Sequence, residues 1–166
     1  KLRTEISSAA AVADLTEPQN RVGKLVIPEG RQLDDIEAVG SGKVTDGIFT
    51  LIADASCVEL NGERTCLSAQ DLKNAAGDGP LSSLNVPEWA TVGAGAMGNS
   101  HRRLEGLIAP GTWNIDPSAP PQQVLATLVA ESNDRYLKGG LLETAQALNL
   151  SPYEVLIVAS LLQKEA

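Results

Sequence analysis

The stretch SPYEVLIVASLLQKEA, Ser151 to Ala166, decides how the chain is read. Ser151 fits a helix N-cap, Pro152 the first helical position, and Glu154 the third residue after the cap. In that arrangement the hydroxyl accepts from an early amide and the carboxylate reaches back to the amide of the cap. Leu150 and Val155 are placed for an apolar contact across the cap. From Val155 to Leu162 only Ser160 is polar, which predicts a helix apolar on all sides and buried in a core. The unbroken run Val155 to Ala159 is too short to cross a bilayer, which takes about 20 residues. The helix then runs into Gln163, Lys164 and Glu165. Glu165 continues the face of Val158, Leu161 and Leu162 at helical spacing. A carboxyl at the end of an apolar stripe is partly desolvated, which raises its pKa towards the range a general acid needs. The other reading is a surface charge where a helix meets solvent.

Upstream, Pro121 fits a second helix start. Val124, Leu125, Leu128 and Val129 form its stripe, Ser132 and Tyr136 extend it, and Gly139-Gly140 stop it. Leu141, Leu142, Ala145 and Leu148 predict a shorter helix between the two. The first half is built of smaller pieces. GKLVIPEG reads as a strand into a turn at Pro28-Glu29-Gly30. RQLDDIEAVG places Leu33, Ile36 and Val39 on one helical face with Gly40 as its stop. DGIFTLIADAS predicts a short helix, and Ser68 caps another over Ala69 to Ala76, ended by Gly77. GPLSSLNVPEWATVGAGAMGNSHRR reads as a mobile connection of loops, and RLEGLIAPGTWNIDPSAP alternates and turns, which predicts short strands around Pro110-Gly111, chiefly Leu104 to Ile108. GAGAMG does not lie between a strand and a helix start, so it is not a phosphate loop.

The chain has 166 residues, 43% hydrophobic and 3% aromatic, so its core is aliphatic. Net charge is −8 with basic residues scattered, which argues against nucleic acid. Cys57 and Cys66 flank VELNGERT, which reads as strand, Asn61-Gly62 turn, strand. That spacing favours a disulfide over two unrelated buried thiols. No metal site is expected, since His101 is the only histidine and no further cysteine is present. Asp34-Asp35 and Asp134 read as solvated faces, and Ser100-His101 lacks a spaced acid that would make a triad. The chain begins at Lys1-Leu2-Arg3 without a starting Met, signal peptide or transmembrane segment, as the interior of a longer protein would.

LSPYEVLIVASLLQKEA resembles the signature of the MltG/YceG-like endolytic murein transglycosylases. RLEGLIAPGTW is similar to that family's upstream strand and turn, with Ala109, Gly111 and Trp113 where Phe, Asp and Tyr are usual. VIPEGRQLDDI resembles the opening of its LysM-like subdomain. The resemblance implies an α+β protein: an N-terminal strand or linker over 1–20, a LysM-like unit over 21–79, a connecting loop region over 80–100, and over 101–166 the first, helix-rich part of a truncated catalytic domain. It implies a lytic transglycosylase that cuts nascent peptidoglycan strands, Glu165 as catalytic acid/base, and substrate contacts at Glu105, Gln163 and Trp113. It implies no cofactor. The setting would be extracytoplasmic, with a membrane anchor absent from this sequence and a fragment that is weakly active or inactive alone. The alternative is a non-catalytic module that binds peptidoglycan and docks on cell-wall synthases.

Overall fold

The computed structural model describes residues 23–60 and 63–165. The expected strand or linker over 1–20 and the Asn61-Gly62 turn lie outside them. The fold is α+β. Strand β1 (Lys24–Ile27) is followed by a small hairpin, β2 (Ile36–Glu37) with β3 (Val44–Thr45), then helix α1 (Ile48–Ala55). A second hairpin, β4 (Val58–Leu60) with β5 (Glu63–Thr65), leads to helix α2 (Ala69–Gly77). Short helical turns and helix α3 (Thr91–Ala96) precede strand β6 (Gly111–Asn114). Helices α4 (Pro121–Lys138), α5 (Leu141–Leu148) and α6 (Pro152–Glu165) complete the chain.

Strands β1 and β6 pair antiparallel, with Leu25 opposite Trp113 and Ile27 opposite Gly111. Leu25 and Ile27 point into the core while Val26 is exposed, the two-residue period of a half-buried strand. One buried cluster runs from Leu25 through Phe49, Ile52 and Leu72 to Leu104, Trp113, Leu125 and Val129. The core is therefore continuous across residue 79, where a unit boundary was expected. The unit expected over 21–79 does not close within that range, because the partner of its first strand is Gly111–Asn114.

The helix expected over Arg31 to Val39 is not formed, and the neighbouring helix explains why. The first amides of a helix have no partner inside it. Here the amides of Ile48 and Phe49 donate to the carbonyls of Gln32 and Leu33, at 2.8 and 3.2 Å. The amide of Gly47 donates to the Asp35 carboxylate at 2.6 Å. Gln32 to Asp35 is thus a non-helical, bent segment that caps α1, and a Cβ on Gly47 would overlap the backbone of Leu33 and Asp34. Beyond it, Ile36 joins a hairpin, and Val39 lies fully exposed at its tip.

The segment over 80–100 is not a run of mobile loops. Leu84, Ala90 and Ala94 are fully buried, and part of GAGAMG belongs to α3. Asn85 takes a left-handed conformation (φ 53°) and its amide donates to the Ala126 carbonyl. The Trp89 indole N–H donates to Asn133 Oδ1 at 2.8 Å. Leu104 to Ile108 is likewise not a strand. Leu104 ends a helical turn, Gly106 sits at φ 78°, and Leu104, Leu107 and Ile108 are all buried, without period-two alternation. Arg103 anchors this turn: its buried guanidinium donates to the carbonyls of Ala76, Asp78 and Gly79, at 2.5, 2.6 and 3.0 Å. A cation is thereby fixed on the carbonyl end of α2, where the helix dipole favours it.

Several expectations hold. Ser68 Oγ accepts from the Asp71 amide at the start of α2. Ser151 Oγ accepts from the Glu154 amide at 3.2 Å, while the Ser151 amide donates to the Glu154 carboxylate at 2.7 Å. Cys57 and Cys66 form a disulfide across the foot of the β4–β5 hairpin. The burial of the last helix differs. Tyr153 and Leu156 pack against the core, but Leu161 and Leu162 are 60% and 66% exposed and Ile157 and Val158 are also open. Apolar composition predicted the helix, but among the described residues only one of its faces is covered.

Candidate active site

A groove of about 750 Å³ is walled by three segments that are far apart in sequence. The turn after β1 supplies Ile27, Pro28 and Gly30. The segment before β6 supplies Glu105, Gly106, Ile108 and Pro110. Helix α6 supplies Tyr153, Leu156, Ser160 and Gln163. The volume lies in the usual range for ligand sites. The β1–β6 register builds the first two walls: Ile27 faces Gly111, so one strand leaves its pairing where the other enters.

Each wall is held by specific contacts. Tyr136 on α4 donates its hydroxyl to the Gly106 carbonyl at 2.8 Å, and burial pushes its phenol pKa up to about 12. It is therefore a neutral donor at any physiological pH. Glu105 Oε2 accepts from the Leu33 amide at 3.4 Å and so ties the second wall to the chain following the first. Arg135 stacks over the Trp113 ring at 3.5 Å and donates to the carbonyls of Pro110 and Thr112. On α6, burial and the nearby Glu105 charge raise the Tyr153 pKa. Its ring lies against Gly93 of α3, where a Cβ would overlap it. Tyr153 thus fixes where α6 enters the groove.

The site residues expected from sequence fall in different places. Glu105 and Gln163 both line the groove, and Gln163 Nε2 comes within 3.9 Å of the position a side chain on Gly30 would take. Trp113 does not line it. It is buried in the core, its N–H donates to the Ala109 carbonyl at 3.2 Å, and Arg135 covers its face. Glu165 is the last residue of α6, two positions beyond Gln163, and its side chain lies outside the described residues.

Other polar groups were not legible from sequence. Asp34, read as solvated, is an ion-pair centre: Lys73 Nζ lies 2.6 Å and His101 Nε2 2.8 Å from its two carboxylate oxygens. Burial alone would raise the Asp34 pKa, but hydrogen bonds from Lys73 and His101 and their charges outweigh it and hold the carboxyl below its ordinary range. His101 also meets Phe49 edge-on, while Ser100 Oγ caps the turn after it by accepting from the Arg102 amide. The pair is thus a structural fixture. Arg31 and Arg102 line the groove beside Asp34. No sequence period marks them, because fold geometry alone brings them together. Among the described residues no helix is long and apolar enough alone to cross a membrane.

A search of curated proteins returned no match to the chain. The family model described as "YceG-like family" matches residues 1–166. The groove is lined by residues from all three stretches whose sequence suggested that kinship, and the chain belongs to the YceG-like family, the family of the MltG endolytic transglycosylases.

Proposed function

We propose that this chain is part of a lytic transglycosylase acting on peptidoglycan outside the cytoplasm, with the groove as its glycan site and Glu165 as its acid/base. One observation carries the reading: the VIPEG turn, the LEGLIAP segment and the last helix, separate in sequence, supply the walls of a single groove. Gln163 stands in that groove beside Gly30, and Glu165 follows it within the same helix.

The reaction needs one carboxyl. Protonated Glu165 donates to the oxygen joining N-acetylmuramic acid to N-acetylglucosamine, and the bond from C1 to that oxygen breaks through an oxocarbenium-like state. The carboxylate then takes the proton of the muramic C6 hydroxyl as that oxygen bonds to C1, which leaves a 1,6-anhydro end. Two-carboxylate glycosidases need a second group to activate water or attack the sugar. Here the substrate supplies its own nucleophile, held close by the ring. Glu105 and the neutral hydroxyl of Tyr153 offer an acceptor and a donor to sugar hydroxyl and acetamide groups.

The test is digestion of purified peptidoglycan by the full-length protein that contains this chain, with mass spectrometry of the products. We expect muropeptides with 1,6-anhydro ends. Reducing ends in their place would mean hydrolysis, and intact strands would favour a binding or scaffold role on cell-wall synthases.

A further inference from the structure

Four arginines lie around the groove and the turn behind it, and they divide into two kinds. Arg103 spends its guanidinium on three backbone carbonyls. Arg135 spends its own on two carbonyls and the Trp113 ring. Arg31 and Arg102 are different. Arg31 donates one nitrogen to the Asp46 carbonyl at 3.1 Å, a neutral acceptor, and among the described residues no carboxylate pairs with it. Arg102 is 69% exposed and stands 3.8 Å from Asp34, whose oxygens Lys73 and His101 already hold at 2.6 and 2.8 Å. Each guanidinium carries five N–H donors in a planar fork suited to a carboxylate. Both side chains line the groove, in a chain whose net charge is −8. The other acid on that wall, Glu105, accepts from the Leu33 amide.

We propose that Arg31 and Arg102 form a carboxylate-recognition subsite that reads the acidic substituent carried by the glycan on its lactyl arm. The inference rests on the peptidoglycan reading above and adds a specificity element to the same groove. Arg31 follows Gly30, which lies against Gln163, so the subsite adjoins the end of α6. A sugar ring offers only neutral hydroxyl and acetamide groups, which need no guanidinium. The carboxylates of a stem peptide, or the bare lactyl carboxylate of a stripped strand, do suit one. Charge-assisted pairing to an arginine pair at a half-open site amounts to roughly tenfold in affinity.

The experiment measures equilibrium binding of fluorescently labelled glycan strands to the full chain carrying Glu165→Gln, so that turnover does not consume the probe. Three probes are compared: peptide-bearing strands, the same strands with their carboxylates converted to amides, and strands stripped by an amidase to the lactyl carboxylate. We expect peptide-bearing strands to bind about tenfold tighter than amidated ones. That ratio should fall towards one in Arg31→Gln with Arg102→Gln, and Arg31→Lys should restore part of it. Lys43→Gln, which removes a cation outside the groove, should leave the ratio unchanged. Stripped strands that match the peptide-bearing ones show that the subsite takes either carboxylate; stripped strands that match the amidated ones assign it to the stem peptide alone. No preference for carboxylate strands in the parent, or a preference that survives loss of both arginines, overturns the subsite. Because the readout is binding, failure of the cleavage reading would register separately, as absence of anhydro products from the full-length protein with Glu165 intact. Thermal melts of Arg102→Gln, an exposed position, check that lost binding is not lost folding.

Discussion

Helices α4 and α6 look alike in sequence and behave differently in the fold. Both begin at a proline and both carry a strong aliphatic content. In α4 the stripe Val124, Leu125, Leu128, Val129 is buried, and Ser132 within it accepts from the Ala109 amide at 2.9 Å. Among the described side chains of α6, Tyr153 and Leu156 reach the core, while Leu161 and Leu162 stand open. Aliphatic content predicts a helix equally well in both cases, but burial depends on what the rest of the chain brings against it. The comparison assigns separate duties. Helix α4 is the one the other elements rest on, and α6 is the one that turns a face to the groove.

The sharpest way to break that division is Glu165→Gln. The exchange keeps volume but removes the proton. Turnover to 1,6-anhydro products should fall by about 10²–10⁴-fold, with the melting temperature unmoved. A variant that keeps more than a tenth of parental turnover would remove Glu165 from the chemistry. The complementary substitution lies in α4. Leu125→Ala empties a fully buried site and should cost about 2–5 kcal/mol of stability in denaturant unfolding. Leu162→Ala, on the open face of α6, should change stability by no more than about 0.5 kcal/mol. Equal losses at the two positions would show that α6 is as much a core element as α4.

A smaller effect belongs to the Cys57–Cys66 bridge, which closes a short hairpin loop. Replacing both cysteines with Ala should cost roughly 2–3 kcal/mol. Because the hairpin lies apart from the groove walls, strand binding should survive the exchange. The smallest effect is electrostatic. The Asp34 carboxyl has a folded-state pKa below its ordinary value of 3.8, so its ion pairs stabilise the fold above that pH and the contribution disappears as pH falls through the lower folded value. Asp34→Asn should therefore cost about 1 kcal/mol at neutral pH, and the gap to the parent should close below about pH 3.8. A gap that persists in acid would assign the loss to packing.

What was legible in the sequence was local. The Ser151–Glu154 cap, the Ser68 cap, the stripe of α4 and the cysteine hairpin each depend on residues a few positions apart. The misread segments were those whose partners are distant. Leu33, Ile36 and Val39 carry a helical spacing, yet the carbonyls of Gln32 and Leu33 are taken by α1. Leu104 to Ile108 carries an alternating pattern, but the geometry there follows Arg103 and Tyr136 instead. Trp113 stood where the resemblance implied a ligand contact, and the packing of Arg135 encloses it. Glu105 and Gln163 could be named from the motifs, but their meeting in one groove needs the pairing of β1 with β6, which leaves no local trace.

That strand pair also works as a ruler. Leu25 and Ile27 are locked inward and Val26 outward, so sliding one strand by a single residue would expose both core side chains and bury Val26 in their place. The permitted offsets are therefore discrete, with neighbouring residues about 3.3 Å apart along the strand. Because the two walls begin where the strands end, their relative position inherits that discreteness: the next offset that keeps Leu25 and Ile27 inward lies two residues away. A groove gauged in this way does not drift as its rims mutate. Substitutions at its lip can change what it grips while its span stays the same.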